Sequence, residues 1–422
     1  MSVDDELPAR NSPLFAEGLE VLDGSVPWLD PSRMPEKPGG FLYGVRFKNH
    51  PKFGNQDHPC GTEVELIQTL LQHSGHIDLV YLPDNSHGVP RLALNRYNPW
   101  QKPDLLKLFF RTLRTRGLVA VAAIGGALFM QTSHSLTLFL IGLIFGVIPV
   151  FDAMIQWLIY PKNQPVSELK KSMIHGSLFF DWIERTKRSK ILIWLILGII
   201  AIVYWGQMRA GVAGLENPGN IGVIQRDLVR QSGEWWRLFT GTLMHGPIWH
   251  IAMNGLGLFY IGKFIHRLTH PVMVPIVFVI SAFAGAIASV LYAPQGGSVG
   301  ASGGVVGMIG FLTWLVIVRR KELPYDFRSF AIRNIFLLAV LGVIGFFFVD
   351  NAGHAGGFIG GLFCGIFYQY FHRDAWDIPG SPVLTVLGAL SGLVLLFGLA
   401  SCLDLFLFDG TYLIERLPHY AW

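Results

Sequence analysis

Gly300-Ala301-Ser302-Gly303-Gly304-Val305-Val306-Gly307 opens an apolar run that continues to residue 318 without a charged side chain. A stretch of about 20 such residues, wound as a helix, crosses the roughly 30 Å hydrocarbon core of a bilayer. One hydroxyl, Ser302, stands near its start. A second run opens in the same way at Gly353-His354-Ala355-Gly356-Gly357 and carries one imidazole. A third contains His250 and Asn254, four residues apart and therefore on one face of a helix.

Composition agrees with a membrane reading. Of 422 residues, 51% are hydrophobic and 15% charged, with a mean hydropathy of +0.42, more apolar than the core of a water-soluble domain requires. Apolar runs fall at 117–134, 136–160, 191–208, 237–262, 271–292, 300–318, 332–350, 353–371 and 382–407. The expected fold class is an all-α polytopic membrane protein with a small soluble α/β domain before it. Cys60, Cys364 and Cys402 are too widely spaced for a disulfide framework or a cysteine zinc site. The formal charge of +4 is modest. No nucleic-acid partner and no cofactor is expected.

Basic residues sort the ends of the runs by side. Lys107, Arg111, Arg114 and Arg116 precede the first run, and Lys162, Lys170, Lys171, Arg185, Lys187, Arg188 and Lys190 precede residue 191. Lys263 and Arg267 follow the fourth, Arg319, Arg320, Lys321, Arg328 and Arg333 separate the sixth from the seventh, and Arg373 follows the eighth. Every second connection is basic. This predicts a cytosolic N-terminus, as does the polar start without a basic, then apolar, leader. The segment 209–236 is placed outside although it carries Arg209, Arg226 and Arg230, balanced in part by Glu216, Asp227 and Glu234.

With that topology the runs holding Ser302, His354 and His250 all travel inward. Ser302 lies 17 residues before Arg319 and His354 lies 19 before Arg373, roughly 26 and 28 Å from the cytosolic side at about 1.5 Å per residue. His250 stands 17 residues before Arg267. All three are expected in one layer a few ångströms under the outer surface.

A serine hydroxyl becomes a useful nucleophile when a neighbouring neutral imidazole takes its proton. Ser302 and His354 can do this as a dyad, since no Asp or Glu is obviously placed to orient the imidazole and Asp350 is the only nearby candidate. The Ser302 backbone N–H, His250 and Asn254 supply donors for an oxyanion. Close helix approach is served by small-residue pairs, Gly303 with Gly307 and Gly357 with Gly361. Each residue alone has a plainer reading: membrane serines commonly bond their own backbone, and a lone membrane histidine is more often a structural partner or an ion site. The combination carries the weight. His245 reads as interfacial, and Asp152 and Asp404 receive no role.

These residues resemble the rhomboid intramembrane serine proteases over about residues 190–371. The motifs occur in the family's order: Trp236-Arg237, His250-x-x-x-Asn254, Gly300-x-Ser302-Gly303, then His354 with Gly357 and Gly361. The resemblance implies a six-helix core open to the outer side, Ser302 as nucleophile, His354 as general base and acid, and His250 with Asn254 as oxyanion donors. Two departures stand out. Val306 occupies a position where an aromatic often packs on the catalytic imidazole, and Gly353 one where alanine is frequent; both predict looser restraint of His354.

The expected organisation is a Pro-rich mobile leader (1–39), a cytosolic domain (40–110), a transmembrane hairpin with a basic linker (111–189), the rhomboid-like core (190–375) and an added helix with a tail (376–422). Phe41–Phe47 and Ile77–Leu82 read as strands, and Val64–Leu71 has helical spacing. His50, His58, His73, His76 and His87 lack regular metal-ligand spacing, so no metal is assigned. The functional expectation is an endopeptidase that cuts transmembrane segments of other membrane proteins in the plasma membrane of a bacterium. The alternative is a catalytically inactive protein of the same fold that binds client helices. A transporter is less favoured, because the apolar interiors between 237 and 349 hold no charge.

Overall fold

Glycine and proline decide where the helices begin, break and meet. The computed structural model describes residues 24–30, 32, 34–83, 86–90, 104–130, 135–159, 166–185, 189–212, 221–292, 297–344, 349–372, 376, 381–408 and 414–416. Most of the expected leader, much of the basic linker including Lys187 and Arg188, and Arg373 lie outside the described residues. The chain divides into two compact units, Met1–Arg185 with Lys321–Ser329, and Thr186–Arg320 with Phe330–Trp422.

In the first unit, β1 (Tyr43–Phe47), β2 (Asp57–Cys60), β3 (Ile77–Tyr81) and β4 (Val89–Pro90) form an antiparallel sheet in the order β2-β1-β3-β4. Helix α1 (Glu63–Gln72) starts at Thr62, whose side chain accepts the Glu65 N–H and satisfies a free donor of the first turn. Val45, Phe47, Leu66, Leu70, Val80 and Tyr81 are buried beneath it. Arg46 and Asp57 join neighbouring strands through two 2.8 Å bonds. Helices α2 (Leu105–Met130), α3 (Ser135–Gly142) and α4 (Ile148–Ile159) follow, α3 running into α4 through a π-turn at Leu143–Val147. A β-carbon at Gly146 would strike the Ala120 backbone, so this glycine lets α2 and the turn touch. The last helix of the unit is α5 (Val166–Arg185).

One part of the expected leader is not mobile. Trp28, only 1% exposed, donates its Nε1–H to His175 Nε2 at 2.8 Å and packs on Phe179 and Trp182 of α5. An indole buried with its one donor satisfied is a strong anchor.

The second unit contains α6 (Ile191–Val212), β5 (Ile224–Gln225), α7 (Arg226–Arg230), α8 (Arg237–Leu243), α9 (Ile248–Leu268), α10 (Met273–Tyr292), β6 (Gly297–Ser298), α11 (Ser302–Val318), α12 (Tyr325–Ile344), α13 (Asn351–Phe371) and α14 (Pro382–Phe408). Residues of α12 up to Ser329 belong to the first unit. Helices α6, α10 and α14 are long and apolar enough to cross a membrane, and α11 is a shorter apolar helix. The protein is a multi-pass, mainly helical membrane protein with a small N-terminal sheet. The expected continuous run at 237–262 is corrected: it breaks between α8 and α9 at Met244–Pro247. Pro247 lacks an N–H and caps α9 in extended conformation, a position proline suits.

Helices α10, α11 and α13 pack most closely. A β-carbon on Gly357 would strike the carbonyl of Gly303, and one on Gly361 that of Gly307. On the α10 side, Gly307 meets the Ser281 side chain, and Gly285 faces the Gly353 carbonyl at 2.6 Å from such a carbon. These obstacles are mostly backbone, which cannot swing away. The seam therefore admits no larger side chain.

Candidate active site

Ser302 is the first residue of α11, following Ala301, and His354 lies in the first turn of α13. Tight packing of the two helix starts brings His354 Nε2 to 2.8 Å from Ser302 Oγ. Both side chains are half-buried. At the start of α11 the Ser302 N–H has no carbonyl one turn earlier within the helix to receive it.

Asp350 does not orient the imidazole. One of its oxygens accepts the Gly353 N–H at 2.7 Å, capping α13, and the other accepts the Ser298 hydroxyl at 2.6 Å. This carboxylate ties the strand before Ser302 to the helix that carries His354. A β-carbon at Gly353 would come within 2.6 Å of the Asp350 carboxylate. Glycine there makes room for the cap, so the expectation of a loosened segment at 353 gives way to a held one. Among the described residues no aromatic ring stacks on His354, in keeping with Val306 one turn beyond the serine.

Helix α9 brings His250 and Asn254 to the same place. Gly300 has φ +122°, a conformation that favours glycine. A β-carbon on it would lie 2.8 Å from His250 Cε1 and Nε2 and 3.4 Å from Asn254 Nδ2. Both side chains thus press on the backbone two residues before Ser302. The Gly246 N–H points at His250 Nδ1 from 3.4 Å. That nitrogen accepts, so the proton of the neutral ring sits on Nε2, the atom beside Gly300. Asn254 is buried, and its Nδ2 has no hydrogen-bond acceptor among the described residues. A buried amide donor without an acceptor is costly unless something arrives to use it.

Several residues that set this geometry were missed or misplaced by sequence reasoning. His245 is buried at 2% exposure, not interfacial. Its Nδ1 lies 3.0 Å from the Leu243 carbonyl, which can only accept, so Nδ1 carries the proton and Nε2 receives the Ala301 N–H at 3.4 Å. The side chain of Gln207, on α6, clamps the His245 backbone with two 3.0 Å bonds. Arg237, buried and paired with Glu234, donates to the Ile221 and Val223 carbonyls. Short strands β5 and β6 then pair Ile224–Gln225 with Gly297–Ser298. The Trp236-Arg237 motif was a signal for this outer segment; nothing local marked Gln207 or Ser298. Among the described residues no group of three histidine, cysteine or acidic side chains could hold a metal ion.

Fold and geometry together define a polytopic helical membrane protein in which a serine and a histidine meet between glycine-packed helices, beside two further donors. Residues 232–371 match the Rhomboid domain. The chain is 32% identical over 161 residues to the protein named Rhomboid protease GluP of Bacillus subtilis, covering 37% of this chain and 30% of that one. It is 30% identical over 160 residues to RHOMBOID-like protein 1 of Arabidopsis thaliana, covering 36% and 41%, and 30% identical over 148 residues to Rhomboid-like protease 3 of Toxoplasma gondii, covering 34% and 54%. The chain spans between about a third and about half of the length of these relatives. The likeness to the rhomboid family thus rests on residues 232–371.

Proposed function

We propose that this protein is an intramembrane serine endopeptidase in which Ser302 and His354 form the catalytic dyad. The 2.8 Å contact between His354 Nε2 and Ser302 Oγ carries the reading. In the resting state the hydroxyl donates to the neutral imidazole. As Oγ attacks a peptide carbonyl, His354 takes the proton; as the tetrahedral intermediate collapses, it returns that proton to the leaving amine. Water then repeats the sequence on the acyl-enzyme. The negative oxygen receives the Ser302 backbone N–H, His250 Nε2–H and Asn254 Nδ2–H, donors already in place before the charge develops. The unsatisfied Asn254 amide supports this, because an incoming oxyanion gives it the acceptor it lacks.

The substrates are segments of other membrane proteins in or near the bilayer. A helical segment must unwind locally before its carbonyl is reachable, because its amides are bonded within the helix. The word protease in the names of two relatives favours catalysis over client binding. The distribution of basic residues favours a cytosolic N-terminus in a bacterial plasma membrane, with the site toward the outer face.

The test is cleavage of a tagged single-span substrate carrying helix-breaking residues near its outer end, co-expressed with wild type, Ser302→Ala or His354→Ala. Cleavage by wild type alone is expected. Equal cleavage with all three would assign the cutting to another protease. Failure of wild type to cut a substrate panel, together with failure of a fluorophosphonate to label Ser302, would leave client binding as the better reading.

A further inference from the structure

Helix α14 lies wholly beyond the stretch that matches the Rhomboid domain, yet it packs on the element that sets the backbone before Ser302. The Phe397 ring is stacked on Trp235, with centroids 6.0 Å apart and planes within 7°, and meets Phe239 edge-on at 5.3 Å. Gly398 follows, and a β-carbon on it would stand 2.9 Å from Leu243 Cδ1. One turn later the Cys402 thiol points at the Thr240 carbonyl from 3.9 Å. Three successive contacts of α14 thus fall along α8.

On its other flank α8 holds the serine loop. The Gly241 carbonyl accepts the Gly300 N–H at 2.9 Å. The Leu243 carbonyl receives Nδ1–H of His245, whose Nε2 accepts the Ala301 N–H. Thr240 and Leu243 face α14, Gly241 is bonded by Gly300, and Leu243 reaches Ala301 through His245. A helix of seven residues is too short to hold its place alone.

We propose that α14 is a positioning element of the active site, with Phe397 and Gly398 acting through α8 to fix the backbone of Gly300 and Ala301 and so the direction of the Ser302 hydroxyl. The proposal rests on the protease reading above for its effect on rate, but its structural claim stands apart from it. Neither Phe397 nor Gly398 touches the reacting atoms; a side chain at 398 would act by moving α8.

The experiment uses the full chain in lipid nanodiscs with Gly398→Leu, Gly398→Ala, Phe397→Ala and Gly392→Leu. Gly392 lies on the same helix, with open space for 4 Å around the point where a β-carbon would stand, so its variant controls for a bulky residue in α14. Hydrogen exchange of the Gly300 and Ala301 amides and the rate of fluorophosphonate labelling of Ser302 are read on each. Gly398→Leu should speed exchange at both amides and slow the labelling of Ser302 by up to about 10²-fold, the scale set by an ångström of misplacement. Phe397→Ala should move both readouts the same way by less. Gly398→Ala, whose methyl displaces only the end of Leu243, should fall between wild type and Gly398→Leu, and Gly392→Leu should match wild type. Wild-type exchange at Gly300 and Ala301 in Gly398→Leu would overturn the proposal, and if that variant does not fold, wild-type exchange in Phe397→Ala would do so. If wild type itself fails to label, the protease reading falls and exchange alone decides the role of α14.

Discussion

Among the described residues two groups of neighbouring histidines can be compared, and one of them includes a ring in contact with a serine hydroxyl. In the first unit His50, His58 and His73 gather around Phe47 and Phe53 and His76 packs on His50, with His50 Nε2 3.2 Å from His73 Nδ1. His50 Nδ1 accepts the N–H groups of Lys52 and Phe53 at 3.1 Å. Its proton is therefore on Nε2 and donated to His73, which leaves His50 no lone pair for a metal. In the second unit His245 and His250 also have their nitrogens assigned by neighbours, but Nε2–H of His250 and the amide of Asn254 lie beside Gly300, two residues before a serine that meets His354. Proximity of imidazoles is common to both. A hydroxyl against one ring and an unsatisfied buried amide nearby distinguish the second.

The largest test of that contrast removes the hydroxyl or its base. On the proposed function, Ser302→Ala or His354→Ala should abolish cleavage in the co-expression assay, a loss on the order of 10⁶-fold, the scale seen when a serine protease is deprived of nucleophile or base. His50→Ala should leave cleavage intact. Next come the donors: His250→Ala and Asn254→Ala should each lower kcat by about 10²- to 10³-fold with KM little changed, measured on purified enzyme. Asn254→Ala also deletes a buried unsatisfied group, so its melting temperature should hold or rise, a combination that a purely structural asparagine would not give.

His245→Ala should act on stability as well as rate. It strands the buried Ala301 N–H, costing about 1–3 kcal/mol, read as an earlier thermal transition in detergent. The smallest effect belongs to the first group. Burial, aided by His73, His76 and Lys52, holds the His50 imidazole below its ordinary value. The unfolded chain then binds the proton more readily than the folded one, so stability is complete above about pH 6.5 and declines as the pH falls through the lowered value. Pulse proteolysis between pH 7.5 and 5 should show growing cleavage within residues 47–60, and His50→Asn should flatten that slope. An unchanged slope would mean that another group controls it.

The membrane helices and the meeting of Ser302 with His354 were legible because two signals coincide: apolar length, and depth counted from basic residues. Glycine spacing on two runs pointed to close approach, and the seam at Gly303, Gly307, Gly357 and Gly361 is where backbones touch. The break at Met244–Pro247 was not legible, since its flanks are apolar on both sides and only Pro247 marks it. His245 was misread for the same reason. Its role depends on two backbone groups, at Leu243 and Ala301, the second 56 residues away. Ser298 and Asp350 likewise join segments 52 residues apart, and no local pattern reports such a bond. Trp28 was hidden within a proline-rich stretch whose composition outweighed one buried indole.

The length of α11 has a consequence for the surrounding lipid. Its 17 residues amount to about 26 Å at 1.5 Å per residue, short of the roughly 30 Å hydrocarbon core of an average bilayer. Because the helix begins at Ser302 itself, any mismatch taken up at that end falls beside the hydroxyl. A thin membrane would match the helix and leave the hydroxyl level with wet headgroups, whereas a thick one would draw acyl chains over it or be pinched locally. On the protease reading proposed above, bilayer thickness would then act on how water and a substrate strand reach the serine.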